Sequence, residues 1–213
     1  MSQPAEPRKR LWQRMTLARW RKTGVVALLA VTAAFGGLRE ADHVTPVALE
    51  SRYDAGPLAI TGHSVEVASG VPWLRIDLAP ECRFVVLDAT ITNNADGAAP
   101  IAEQRFLSGN ADDCRDFGAP APTDAVLLAN LPNRYAGSFR VRDGQTVPIA
   151  EPGFTERFRL AWVVSAADLA GVSDLKFDFR NMTRGYSTFR ISRQWFADED
   201  RYGELTVANP VTA

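Results

Sequence analysis

Sixteen consecutive uncharged residues, Thr23 to Leu38 (TGVVALLAVTAAFGGL), lie between Lys22 and Arg39. They directly follow a basic start. Residues 1–22 hold seven basic side chains (Arg8, Lys9, Arg10, Arg14, Arg19, Arg21, Lys22) against Glu6 alone. A basic arm alone is compatible with a nucleic-acid tail, but one that runs into an apolar segment is the cytoplasmic flank of a membrane span. At 1.5 Å per residue the segment covers about 24 Å of a hydrocarbon core of roughly 30 Å. Leu17, Ala18 and Trp20 extend it backward, and Arg19, Arg21 and Arg39 can snorkel to the headgroups. The expectation is a single-pass anchor at 23–38, with the N-terminus cytoplasmic and later residues extracytoplasmic. A cleaved signal peptide has an apolar core of this length, but its basic lead is usually shorter, and no A-x-A site follows the run. A buried core helix also fits the length, though not the charge flank.

The net charge of −1 hides this asymmetry, because the whole excess of basic residues sits in the arm. With 46% apolar residues the 213-residue chain is not a disordered polymer, and its length allows one large domain or two small ones. Residues 39–56, polar with Pro46 and Gly56, read as a tether, leaving 57–213 as the outer domain.

That domain reads as strands. Arg83 to Asn93 (RFVVLDATITN) alternates strictly, which puts Val85, Leu87, Ala89 and Ile91 toward a core and Phe84, Val86 and Asp88 away from it. Leu58, Ile60, Val65 and Val67 give an earlier strand, with Gly62 as a bulge or turn. Phe158, Leu160 and Trp162 alternate with Arg157, Arg159 and Ala161 after the turn dipeptide Pro152-Gly153. Leu175, Phe177 and Phe179 follow, then Phe189 and Ile191, then Leu205 and Val207. Ser165 can cap one short helical turn ended by Gly171. Roughly seven such runs without intervening helices predict an all-β, antiparallel sandwich.

An N-terminal anchor, the strand and turn LDATITNNADGAAPI, and PGFTERFRLAWVV together resemble bacterial membrane-anchored, extracytoplasmic immunoglobulin-like domain proteins of uncharacterised function. The likeness covers about residues 57–180. It implies an immunoglobulin-like sandwich acting as a binding or accessory module, and no catalytic residue is carried over with it. The 95–124 insertion and the aromatic segment Trp195 to Tyr202 depart from the pattern.

The chain has two cysteines, Cys82 and Cys114. In an oxidising compartment they predict a disulfide that pins the insertion to the sheet. Asp112, Asp113 and Asp116 in that loop are weak Ca²⁺ candidates, for they lack the EF-hand register, and a solvated acidic loop explains them as well. Asp198, Glu199, Asp200 and Glu204 form a second acidic cluster with the same ordinary explanation. His43 and His63 are the only histidines and have no H-x-x-x-H or H-x-H spacing. P-loop, G-x-G-x-x-G and G-x-S-x-G patterns are absent, so no cofactor and no catalytic site is expected. Rings beside Arg residues or turns remain: Trp73, Tyr135, Tyr186, Trp195, Phe196 and Tyr202. Protein- and sugar-binding faces use such rings. Trp195, Phe196 and Tyr202 are the expected partner contact, and Trp73 reads first as core filling. The sequence therefore favours a membrane-tethered, non-catalytic module that engages a partner protein or envelope polymer and not nucleic acid. The alternative is an envelope enzyme whose site lies in the 95–124 loop.

Overall fold

The computed structural model describes residues 43–74, 78–102, 114, 124–186 and 193–211. The expected span at 23–38, Asp112, Asp113 and Asp116, and the Phe189–Ile191 strand lie outside them. Among the described residues no helix is long and apolar enough to cross a membrane.

Eleven strands are described: β1 (His43–Val47), β2 (Arg52–Ala55), β3 (Leu58–Ala68), β4 (Cys82–Asn93), β5 (Ala99–Pro100), β6 (Val126–Leu128), β7 (Asn133–Arg140), β8 (Ile149–Ala150), β9 (Thr155–Ser165), β10 (Asp174–Tyr186) and β11 (Arg193–Ala208). One sheet has the order β2-β3-β4-β9-β7, a second β1-β11-β10-β6, and β5 pairs with β8. All pairings are antiparallel except β1 with β11. The two large sheets face each other across one core, making a β-sandwich. Ile60, Leu87 and Trp162 from the first sheet meet Phe177, Phe179 and Leu205 from the second. The Trp162 and Phe177 rings lie 5.5 Å apart. Truncating so fully buried a ring costs about 3–5 kcal/mol.

Local chemistry sets the strand ends. The bulge expected at Gly62 is there, as the β3–β4 register shifts between Gly62 and Ser64. The extra residue, His63, hydrogen-bonds Glu50 Oε2 and Thr90 Oγ1, each at 2.8 Å. At the end of β4, buried Asn93 donates through Nδ2 to the carbonyls of Gly97 (2.9 Å) and Ala150 (2.8 Å), and its Oδ1 accepts from the Ala95 N–H (2.9 Å). The Asn of the Asn-Asn turn thus ties the β4 exit to β8. Ser165 caps the short helix α1 (Ala166–Ala170), accepting from the Ala167 N–H, and Gly171 ends it.

Two expectations need correction. Residues 43–55 are not a tether. They supply β1 and β2, and Ala55 is fully buried. Their few apolar side chains hid this, because both strands lie at sheet edges, where polar residues and Pro46 are tolerated. Gly56 is the β2–β3 turn, with φ +81°, and a Cβ there would lie 2.5 Å from the Met182 carbonyl oxygen. Second, the aromatic segment Trp195 to Tyr202 is no departure from the sandwich, for it lies within β11.

Candidate functional site

The outer face of the β2-β3-β4-β9-β7 sheet changes character along its length. At one end Phe84, Val86, Ala161 and Val163 form a second apolar cluster, covered by Val71, Leu74 and Cys114. Cys82 is bonded to Cys114 there, with Cα atoms 5.5 Å apart. The expected disulfide is therefore present, and it fastens the insertion to this outer layer. Farther along, the same face becomes charged. Asp88 accepts from Arg157 Nε at 2.6 Å, and this pairing holds the guanidinium pKa above its ordinary value.

A cleft of ≈ 470 Å³ opens where the two halves meet. Gly137 on β7 makes room for the Phe139 ring that lines it. Its φ is +144°, and any Cβ would lie 2.9 Å from the Phe139 ring. Phe139, free to fold back, packs against Trp73 with ring centres 4.9 Å apart. The cross-strand register sets Arg159 beside Phe139, and its guanidinium carbon stands 5.6 Å from the Trp73 ring centre.

The rim comes from the turn after β7. Arg140 donates to both carboxylate oxygens of Asp143, from Nε at 3.0 Å and from Nη2 at 2.6 Å. That hydrogen bonding raises the Arg140 pKa and lowers that of Asp143. Arg142 pairs with Glu156 at 3.0 Å. Arg159 makes no ion pair with any described residue. The neighbouring carboxylate that could take it, Asp88, is committed to Arg157.

The expected contact trio does not share one surface. Trp195 lies on the core side of β11, packed against the main cluster. Its indole N–H donates to the Ala98 carbonyl at 2.9 Å, and Arg184 covers the ring at 5.7 Å. Phe196 lies over Gly185, and Tyr202 is paired in register with Arg180. Strand alternation puts both on the opposite face from Trp195. In the second acidic cluster Glu204 accepts from Lys176 Nζ at 3.0 Å and Asp198 accepts from the Asp200 N–H, so these groups serve the strand itself. Among the described residues no group of three or more His, Cys, Asp or Glu could hold a metal. The sequence signal for the cleft was Trp73 in a loop facing an alternating Arg157-x-Arg159, but Trp73 alone reads as core.

The fold and this cleft define a β-sandwich domain with a cationic, aromatic surface site. No protein-family model and no curated protein matches the sequence. Among solved structures, an uncharacterized β-sandwich protein from Clostridium difficile 630 is similar, at 10% identity and a TM-score of 0.45, over 79% of this chain and 97% of that one. A conserved hypothetical protein from Bacillus anthracis aligns at 10% identity and a TM-score of 0.30, over 62% of this chain and 86% of that one.

Proposed function

We propose that the protein is a membrane-tethered, non-catalytic module whose sandwich domain binds a partner outside the cytoplasm through the Trp73–Arg159 cleft. One observation carries the reading: a guanidinium with no carboxylate partner among the described residues, set against an indole in a concave site. A cation held this way is available to a ligand, whereas the neighbouring cations are matched internally. The disulfide supports the extracytoplasmic placement, since such bonds persist in oxidising compartments. The basic arm and apolar run at 23–38 support a single-pass anchor with a cytoplasmic N-terminus.

The strand order supports an immunoglobulin-like sandwich. Strands β3-β4-β9-β7 stand in the order A-B-E-D, and β11-β10-β6 in the order G-F-C, with chain order running A to G. In such sandwiches function resides in grafted surfaces.

The test is recovery of the full chain, with its contacts, from crosslinked membranes. The wild type retains a crosslinked partner or polymer, and so does a Phe196→Ala/Tyr202→Ala control. The Trp73→Leu/Arg159→Gln double variant loses it. Equal recovery by both variants contradicts the site, and hydrolysis of a glycan, ester or peptide by the purified chain contradicts the non-catalytic reading.

A further inference from the structure

Resting on that reading, we infer that the cleft takes a carboxylate-bearing sugar ring, as found in an acidic, uronate-containing polysaccharide. The charge around the site favours an anion. Arg140, Arg142 and Arg159 line it, against Asp143 in the cleft and Glu156, which pairs with Arg142. Arg159 supplies a charge that no described carboxylate matches, and its planar fork suits the two oxygens of a carboxylate.

The rest of the ligand follows from where Arg159 stands, its guanidinium carbon 5.6 Å from the Trp73 ring centre. A carboxylate engaging that guanidinium brings the carbon frame that bears it against the Trp73 indole. A pyranose ring carrying a carboxylate at its edge presents a flat C–H face to the indole and hydroxyls to the polar rim of Arg140, Arg142 and Asp143.

An acidic peptide fits less well. Peptides commonly bind by adding a strand to a free sheet edge. Here the cleft end of β7 is already closed by its own hairpin. The Arg140 N–H donates to the Gln145 carbonyl at 2.9 Å, and the Val147 N–H to the Ser138 carbonyl at 3.1 Å. Recognition is left to side chains, which favours a ring over an extended backbone.

The full chain in detergent micelles is titrated calorimetrically with trigalacturonate, its methyl ester and poly-L-glutamate. Trigalacturonate binds, and the ester and polyglutamate bind at least tenfold more weakly. Arg159→Gln weakens trigalacturonate at least tenfold with its melting curve nearly unchanged, and Arg159→Lys restores part of the loss. Polyglutamate binding as tightly as trigalacturonate overturns the sugar assignment, as does trigalacturonate binding that Arg159→Gln leaves intact. If no probe binds while cleft-dependent recovery from membranes persists, the sugar assignment fails and the binding-module reading stands. If recovery is also cleft-independent, both fail.

Discussion

Arg157 and Arg159 sit two residues apart on the same face of β9, yet only Arg157 finds a carboxylate. Its Nε lies 2.6 Å from Asp88, whereas Arg159 stands 5.6 Å from the Trp73 ring centre with no ion pair among the described residues. A cation over a partly exposed ring contributes about 0.5–1 kcal/mol. Arg159→Gln is therefore expected to lower stability by no more than about 1 kcal/mol. Urea unfolding checks this, and a much larger loss would make Arg159 a structural residue.

The disulfide closes a loop across a sequence separation of 32 residues. Loop-closure entropy for that length corresponds to about 3–4 kcal/mol. Cys82→Ser/Cys114→Ser should lower the free energy of unfolding by an amount of that order. Non-reducing peptide mapping should also find the two cysteines joined in the wild type.

Asp178 on β10 gives a pH dependence. Burial, with Glu204 as the second cause, pushes its pKa up to about 6. One carboxylate oxygen, Oδ1, is buried without a hydrogen-bond partner. The folded state holds this proton more tightly than the unfolded chain, whose Asp titrates near 3.9. The stability from protonated Asp178 is thus complete below about pH 4 and is lost as pH rises through about 6. Asp178→Asn is expected to stabilise the protein at pH 7.5 by about 1 kcal/mol, allowing for solvent screening at a part-exposed site. Thermal melts of both proteins should converge at pH 4, and a gain that persists there would contradict the assignment.

Trp195 separates packing from contact. It packs on the core and its indole N–H is bonded to Ala98. Trp195→Ala should therefore cost about 2–4 kcal/mol in urea unfolding, near the range for large-to-small core changes. Asn93→Ala should cost a similar amount, because it leaves the Gly97 and Ala150 carbonyls and the Ala95 N–H without their buried partner.

The inner core was legible because it follows a period of two. Val85, Leu87, Ala89 and Ile91, then Phe158, Leu160 and Trp162, then Leu175, Phe177 and Phe179, all face it as alternation requires. The same rule assigned Phe84, Val86 and Ala161 to the outside, where they are in fact buried. Alternation presumes one covered face, whereas this sheet is covered on both at one end, as its unbroken apolar runs FVVL and LAWVV record. What covers it, the loop through Val71, Trp73 and Leu74, has no periodicity to betray it. The cleft lies beside Trp73 at the edge of that described layer, so its position was not written in any local pattern. In β11 the run Asp198-Glu199-Asp200 masked a strand, since acidic residues are poor strand formers, and the run falls where the β10–β11 register shifts between Arg180 and Met182.

The most direct measurement of the binding claim is site-specific photo-crosslinking in intact cells. Val141 lines the cleft and is 37% exposed. Thr206 is an exposed residue on the other sheet. A photoreactive side chain at Val141 should give an adduct that disappears with Arg159→Gln, and one at Thr206 should give none. Adducts at Thr206 alone, or at Val141 regardless of Arg159, would contradict the account.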